Sequence, residues 1–465
     1  MLFNDGSFLL FLAFSILVVR LTPVSWRWVA LLLLSLLFYA SFRAPALLGM
    51  VALEAGVAWA IAHGMKRTEQ PAARWLLCLG GALGLVGVLV LVRLMVRSTG
   101  ATAWGPAKSW LVSTIGVSYF TLQAISYVVD VYLERAEAEP NPFRVLTYLV
   151  LYPKLLQGPI ERASGMLRQL EAPGTPGYEA LRSAAVLFGW GLFKKVVLGD
   201  RLGRVVDLVF GDPSLFGGLT AAAAAYAFAF QLYFDFSGYT DMARGTARFL
   251  GLELSENFRA PYLANGIIDF WRRWHITFSR WLLDYIFAPL QVSWRRLGLV
   301  GTALALFITF SLSGLWHGFA WTFFIWGLLH GTYLAGEVLL RGLRRGRPSG
   351  GLASRLLGVA LTFHLVTFAW IFFRAPSVQV ALSLLKAFLR PNSGGAVLAG
   401  VLGRQWMEVT AAICLAYALV AALRSRQLFQ RLFDVGAFRW VAYTVLFVAI
   451  MLLRQDSAAY LYAQF

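Results

Sequence analysis

Long apolar runs recur along the whole chain, and they restrict its fold more than any other feature. About 20 apolar residues in a helix cross the roughly 30 Å of hydrocarbon in a bilayer. The runs predict an all-α polytopic membrane protein with ten to twelve transmembrane helices. The predicted crossings are residues 7–21, 28–42, 46–62, 75–92, 111–133, 183–198, 219–236, 298–315, 319–340, 355–373, 406–423 and 437–453.

The composition agrees with this fold class. Hydrophobic residues make up 59% of the 465 residues and charged residues only 14%, far from the balance of soluble domains. The formal net charge is +18. In a polytopic protein such an excess follows mostly from basic residues in cytoplasmic loops. We therefore expect membrane lipids around the chain and no nucleic acid bound to it.

Clusters of basic residues predict which ends of the helices face the cytoplasm. The strongest are Lys66–Arg74, Arg341–Arg347 and Arg424–Arg431, which we place in the cytoplasm. Arg20 and Arg27, between the first two runs, also fall inside, so the N-terminus is predicted outside. The first run lacks a preceding positive cluster and a following small-residue cleavage pattern, which indicates a transmembrane helix rather than a signal peptide.

The sequence predicts one integral membrane domain over residues 1–465, without internal repeats or a soluble stretch long enough for a second domain.

Two regions are poor candidates for membrane crossings. In residues 147–170, prolines, a lysine and a glycine interrupt an apolar start, which favours a re-entrant element packed inside protein. Residues 257–290 mix aromatic side chains with charges, which is typical of a helix in the interface or beside a polar cavity.

The stretch "FQLYFDFSGYTDMARG", residues 230–245, carries a polar side chain at every second position. On a helix this alternation places polar groups on several faces, so lipid cannot surround the segment. Two roles remain open for its carboxylates. Asp235 and Asp241 either pair with arginines and hold the bundle together, or, with Tyr233, they line a functional site.

The stretch "DFWRRWHITFSRWLLDY" places Asp269 three and four residues before Arg272 and Arg273. Side chains at these spacings meet on a helix, so the charges can neutralise one another. His275 is then left as the ionisable group of the segment. The segment is either an interfacial anchor or the carrier of a catalytic histidine.

Residues 310–331, "FSLSGLWHGFAWTFFIWGLLHG", contain His317 and His330 in an otherwise apolar run. An ionisable residue inside a membrane is costly and indicates a functional site, and an imidazole can accept a proton near neutral pH. Along one continuous helix the two histidines would stand about 20 Å and roughly 140° apart. Unless the chain turns between them, they cannot serve one site, and we expect His330 to be a packing residue.

Six motifs occur in order between residues 116 and 331. They read "GVSYFTLQAISYVVDVY", "YPKLLQGPIER", "GLFKKVVLGDRL", "QLYFDFSGYTDMARG", "FRAPYLANGIIDFWRRWHITFSRWL" and "SGLWHGFAWTFFIWGLLHG". Together they resemble the membrane-bound O-acyltransferase family, and specifically its bacterial polysaccharide branch, which includes the membrane subunit of alginate acetylation. The later "FFRAPSVQVALSLL" and "YLYAQF" resemble closing motifs of that branch.

The resemblance implies a helix bundle around a central tunnel in the bacterial cytoplasmic membrane. The near-invariant histidine of the family falls on His317 in "WHG", and a second recurring polar position falls on His275 in "RRWHIT". We predict His317 as the general base for an acceptor hydroxyl, or as a nucleophile that carries a transient acetyl group. His275 is predicted to support it by positioning donor or acceptor.

Further residues are assigned supporting roles. Some would donate hydrogen bonds to the developing oxyanion or bind donor phosphates, and others would orient the histidines or line the tunnel. They are Trp316, Arg272, Arg273, Trp274, Tyr233, Asp235 and Asp241. No metal and no bound cofactor is expected. The predicted acyl donor is acetyl-CoA or another acyl thioester that reaches the site from the cytoplasm.

The predicted activity is O-acetylation of an exported polysaccharide, directly or through an extracytoplasmic transferase partner. One alternative keeps the family and changes the substrate, to D-alanyl transfer onto teichoic acid or to acylation of a lipid or protein. A further alternative is a transporter or channel, since broken helices and buried ionisable groups also mark transport pathways. The sequence has no matching second half of broken helices, which disfavours a transporter.

Overall fold

A computed structural model describes residues 2–42, 45–98, 116–343, 351–403 and 436–453, with positions 406, 407, 410, 411 and 413–415. In these ranges the chain is helical between turns, and its single β-bridge joins Gly217 and Ser393. The all-α prediction is therefore confirmed. Over the described residues the predicted crossings coincide with helices, whereas residues 111–115 and most of 406–423 lie outside the described ranges. The basic residues 344–347 and 424–431 and the final motif also lie outside them.

The helices of the N-terminal half, in chain order, are α1 (Gly6–Leu21), α2 (Arg27–Ala40), α3 (Pro45–Arg67), α4 (Pro71–Ser98), α5 (Val117–Tyr132), α6 (Pro142–Val150), α7 (Ala163–Glu171), α8 (Tyr178–Phe193), α9 (Asp200–Gly211) and α10 (Gly218–Phe249). A π-helical turn at Lys194–Gly199 joins α8 to α9.

The helices that follow are α11 (Ile267–Trp271), α12 (Ile276–Leu282), α13 (Ala288–Ser293), α14 (Gly298–His317), α15 (Trp321–Leu343), α16 (Leu352–Arg374), α17 (Val378–Ala387), α18 (Gly395–Leu402) and α19 (Gly436–Leu453). A second π-helical turn, at Leu283–Phe287, separates α12 from α13.

Five segments of the described chain are long and apolar enough to cross a membrane. They are Leu48–Arg67, Pro71–Leu94, Arg295–His317, Trp321–Leu343 and Leu352–Arg374. Large apolar side chains stay exposed along them, among them Leu304 and Leu361. Such side chains suit a lipid face, and the multi-pass membrane character of the chain is clear.

The ends of α14 differ in chemistry from its middle. The helix follows the exposed pair Arg295 and Arg296, and beyond its far end lies Trp321, which is 73% exposed. Between these ends the sequence "GLVGTALALFITFSLSGLWH" carries no charge before its terminal histidine. Arginine and tryptophan are the side chains that flank membrane-spanning segments at the interface.

The described chain folds into two compact units. One comprises Met1–Phe188 and Tyr239–Glu256, and the other comprises Gly189–Gly238 and Asn257–Leu461. Helix α10 contributes its first part to the second unit and its remainder to the first. The interpretation as one integral domain stays a prediction. His275, His317 and His330 all belong to the second unit.

In the first unit, residues 151–160 run between α6 and α7 with every side chain buried. This is the segment predicted to pack inside protein, and its burial agrees. Side chains supply partners for its irregular backbone, since the Tyr152 N–H donates to Ser35 Oγ at 3.1 Å and the Leu156 N–H donates to Tyr239 Oη at 3.2 Å. Lys154 donates to Gln123, and burial lowers the pKa of Lys154 to about 7.

In the second unit, α14 and α15 form a close antiparallel hairpin. A β-carbon placed on Gly314 would lie 2.5 Å from the Phe323 carbonyl oxygen, and one on Gly327 would lie 2.5 Å from the Phe310 carbonyl oxygen. Small residues let helix backbones approach in this way in membranes, where van der Waals packing drives association. The two glycines therefore fix how the hairpin closes.

We expect Gly327→Ala to destabilise the second unit by about 1–3 kcal/mol, because the methyl group must push the two backbones apart. The measurement is thermal unfolding of the detergent-solubilised protein. Gly336→Ala on the same helix is the matched control, since a β-carbon there has no neighbour within 4 Å. Equal unfolding temperatures for the two variants would show that the close approach contributes nothing.

Candidate active site

His317 is the last residue of α14, where the chain reverses through residues 318–320 into α15. Its side chain is buried, at 3% exposure. Five aromatic rings surround the imidazole. Their centroids lie at these distances from the centroid of the imidazole: Trp316 at 4.7 Å, Trp326 at 4.9 Å, Phe373 at 5.2 Å, Phe278 at 5.8 Å and Phe323 at 6.5 Å. The end of a helix carries a partial negative charge, which favours a cation there. An imidazolium formed by proton uptake at His317 is thus supported by its own helix.

His275 starts α12 from a left-handed backbone conformation, with φ 44°. Such a φ is uncommon for a residue other than glycine and points to a local requirement. The backbone is held by the Ile276 N–H, which donates to the Asn257 carbonyl oxygen at 2.9 Å. The left-handed turn brings the His275 imidazole against the side chain of the same asparagine.

The hydrogen bonds of Asn257 fix the tautomer of His275. The Asn257 Oδ1 atom accepts from the Thr277 N–H at 3.1 Å and from Thr277 Oγ1 at 3.0 Å, which identifies it as the amide oxygen. His275 Nδ1 lies 3.2 Å from the same oxygen and therefore donates to it. In the neutral imidazole the other nitrogen, Nε2, then carries the lone pair.

Burial also sets the charge of His275. The residue is 1% exposed, and burial lowers its pKa to about 3. Because the ordinary histidine pKa is about 6.5, His275 is uncharged at neutral pH. A neutral imidazole with Nδ1 protonated can accept a hydrogen bond at Nε2 but carries no proton there to donate.

One phenylalanine joins the two histidines. The ring of Phe278 lies 5.0 Å from the His275 ring and 5.8 Å from the His317 ring. The centres of the two imidazoles are thus no more than 10.8 Å apart, the sum of these distances. The structure brings together the two residues predicted from separate motifs, in one buried aromatic region.

Of the predicted supporting residues, Trp316 and Trp274 pack near the histidines. Trp316 stacks on Phe278 at 4.4 Å. Trp274 is buried and stacks on Phe270 at 5.6 Å. On α10, Phe236 contacts the His275 ring at 4.8 Å. Packing is thus the observed contribution of these aromatic side chains.

The predicted polar supporters on α10 fall in different units. Asp235 forms a buried ion pair with Lys195, at 2.6 Å, and Lys195 also reaches Asp200 at 2.8 Å. Tyr233 is buried in the same unit. Asp241 belongs to the first unit and lies 3.9 Å from Arg244. The ion pairs agree with a structural role for both carboxylates, although Asp235 pairs with a lysine rather than an arginine.

The two predicted arginines occupy the outer side of the segment. Arg273 Nε donates to Asp269 Oδ1 at 2.8 Å, which confirms the pairing expected from their spacing. The bond lowers the pKa of Asp269 despite its partial burial. Arg272 is exposed. Roles for these arginines toward the oxyanion or the donor phosphates stay predictions.

The chain turns between His317 and His330, so the continuous helix on which their wide separation was conditional is not formed. Trp326 contacts both imidazoles, at 4.9 and 5.0 Å. His330 Nδ1 accepts from the Trp271 indole N–H at 3.2 Å, in full burial. A packing role for His330 therefore stays a prediction, now supported by this bond and not by distance.

Several residues at the site carry no signal in the sequence analysis. Asn257 is an ordinary loop residue by sequence, and Phe278, Trp326 and Phe373 read as membrane packing. Phe373 belongs to "FFRAPSVQVALSLL", so the motif marks its segment without marking its ring. Within the described ranges no group of His, Cys, Asp and Glu could hold a metal ion, and the absence of a metal stays a prediction.

Comparison with known proteins gives one consistent result. The model of MBOAT, the membrane-bound O-acyltransferase family, matches residues 132–385. The chain is 35% identical over 395 residues to a probable alginate O-acetylase AlgI of Pseudomonas putida, covering 82% of this chain and 79% of that protein. The corresponding protein of Azotobacter vinelandii is 33% identical over 445 residues, or 93% and 86% of the two chains.

A third relative differs in its named substrate. It is a peptidoglycan O-acetyltransferase of Helicobacter pylori, 35% identical over 308 residues, which are 61% of this chain and 58% of that protein. The family match covers more than half of the chain and includes His275 and His317. This chain belongs to the membrane-bound O-acyltransferase family and is a multi-pass membrane acyltransferase.

Proposed function

We propose that this acyltransferase moves acetyl groups from a thioester donor to hydroxyl groups of an exported polysaccharide. The observation that carries the proposal is the pairing of His317 and His275 on the ring of Phe278, inside a buried aromatic region. The names of the three relatives, two probable alginate O-acetylases and a peptidoglycan O-acetyltransferase, support a glycan as the acceptor. They leave the choice of polymer open.

In the proposed reaction, His317 takes the proton of the acceptor hydroxyl as its oxygen attacks the thioester carbonyl. The carbon–sulfur bond breaks, and the thiolate leaves with the proton that His317 returns to it. The products are one ester and one thiol. A positioned general base of this kind contributes about 10²- to 10⁴-fold to the rate. The alternative in which His317 itself carries the acetyl group uses the same residue.

His275 is proposed to orient a substrate rather than to move a proton through charge. Its fixed neutral tautomer offers Nε2 as an acceptor toward a hydroxyl or an amide N–H. The donor is proposed to be acetyl-CoA or another acyl thioester from the cytoplasm, and an extracytoplasmic transferase is the proposed partner. We further propose a bacterial inner-membrane location with the N-terminus outside.

We expect His317→Ala to remove ester-linked acetate from the secreted glycan while the protein still inserts and folds. The measurement is alkali-released acetate, set against the amount of protein in the membrane. His330→Ala is the control and should retain most of the ester. Acetate at the wild-type level in the His317 variant would refute the assignment of the base.

The same measurement tests the substrate class. Cells with and without the protein should differ in acetate released by mild alkali from secreted glycan. Release of alanine instead of acetate would favour D-alanyl transfer. Equal release of both acids with and without the protein would refute the proposed acceptor.

We expect Asn257→Leu to lower transfer by roughly tenfold or more, which corresponds to about 1.4 kcal/mol of lost positioning. The substitution frees His275 to change tautomer and leaves the Thr277 N–H without its acceptor. Thr277→Val is the matched control, because it removes one bond to Asn257 and leaves the bond to His275. Equal loss of ester in both variants would show that the tautomer is irrelevant.

A further inference from the structure

Two buried hydrogen-bond donors beside His317 have no acceptor in the described part of the chain. They are the hydroxyl of Ser313 and the indole N–H of Trp326. Both side chains are fully buried, at 0% exposure. Burying a donor without an acceptor costs free energy, and such groups in a native structure call for an explanation.

The Ser313 hydroxyl departs from the pattern of its own helix. Thr309 Oγ1 donates to the Ala305 carbonyl oxygen at 2.7 Å, and Ser311 Oγ donates to the Phe307 carbonyl oxygen at 2.8 Å. This bond to the fourth residue back is the usual way in which a hydroxyl in a helix finds an acceptor. Ser313 does not make it, so its hydroxyl remains available in the hairpin.

The hairpin places the side chains that carry both donors next to the candidate base. Ser313 precedes His317 by four residues, so the two side chains are neighbours on one face of α14, with β-carbons about 5–6 Å apart. The Trp326 ring lies 4.9 Å from the His317 ring, at an interplanar angle of 86°. Ser313 and Trp326 each precede one of the glycines, Gly314 and Gly327, whose backbones touch.

The chemistry of the missing acceptor follows from these surroundings. Aromatic rings and two uncharged donors suit an uncharged oxygen that becomes negative only during the reaction. A thioester carbonyl has this property, since attack on its carbon turns the oxygen into an oxyanion. Preorganised donors aimed at such an oxygen act strongly in a site without water.

We propose that Ser313 Oγ–H and Trp326 Nε1–H together bind the carbonyl oxygen of the acyl thioester and stabilise its oxyanion while His317 holds the acceptor's proton. This assignment rests on the proposed function. It adds two catalytic residues, and it assigns the oxyanion to Ser313 and Trp326 instead of Arg272, Arg273 and Trp274.

The test compares Ser313→Ala and Trp326→Phe with two matched controls. The control for Ser313→Ala is Ser311→Ala, which removes a hydroxyl that already has an acceptor on the same helix. The control for Trp326→Phe is Trp321→Phe, at the exposed start of α15. Cells that carry each variant are fed labelled acetate. The initial rate of base-labile label in the secreted glycan is measured per membrane-inserted protein, together with the thermal unfolding temperature in detergent.

Loss of one oxyanion donor typically lowers the rate roughly 10²- to 10³-fold, and we expect this for Ser313→Ala and Trp326→Phe, with both controls near wild type. Ser313→Ala should unfold at the wild-type temperature or above, because it removes a buried hydroxyl that has no acceptor. This combination of lost rate and retained stability is not expected of a packing residue.

Two results would overturn the assignment. One is a wild-type rate in Ser313→Ala and Trp326→Phe, which would mean that a buried water molecule satisfies both donors. The other is a rate that falls only as far as the unfolding temperature does, which would make both residues structural. Absence of labelled ester in wild-type cells would instead refute the proposed function, and the controls separate these outcomes.

Discussion

The contact between the backbones of α14 and α15 at Gly314 and Gly327 is the constraint on which the site depends. Two helices that meet through larger side chains would lie 8–10 Å apart at their axes. The glycines bring the backbones into direct contact. Ser313 and Trp326 directly precede these glycines in the chain, and both side chains are buried. His317 lies about one turn beyond Ser313, at the end of α14.

Around this hairpin the second unit uses aromatic rings where a soluble enzyme would use polar groups and water. Phe278 contacts both imidazoles, and Trp316, Trp326, Phe323 and Phe373 pack around His317. Such surroundings make each remaining polar contact strong and each unpaired one costly. The hydrogen bonds of Asn257 therefore matter more for the state of His275 than the same bonds would at a surface.

Sequence reasoning predicted the parts of this arrangement that depend on local composition. The apolar runs predicted the helices, and the spacing of Asp269 and Arg273 predicted their ion pair. His317 was singled out because an ionisable group in an apolar run is conspicuous, and His275 because the charges near it can pair with one another; the family resemblance supported both. Separate crossings were predicted at residues 298–315 and 319–340, but no residue type marks the turn between them, since both sides are equally apolar. The separation of His317 and His330 was therefore conditional on the absence of a turn.

The parts that escaped prediction arise from contacts across long stretches of the chain. Asn257 bonds to both His275 and Thr277 at a point where the backbone of His275 is left-handed. Asp235 meets Lys195 through the packing of α10 beside a π-helical turn. The Ser313 hydroxyl does not donate to a backbone carbonyl of its helix, unlike the hydroxyls of Thr309 and Ser311. None of these follows from periodicity or composition.

The length of α14 has a consequence for where in the bilayer the chemistry takes place. Its 20 residues span about 30 Å, which equals the thickness of the hydrocarbon layer. Arginines stand before one end of the helix, and the exposed Trp321 stands beyond the other. His317 is the last residue of this helix, so it belongs to the end of the apolar span nearest Trp321 and not to its middle. A donor that entered from the side of Arg295 and Arg296 would therefore have to pass along most of the length of α14 before it met the imidazole.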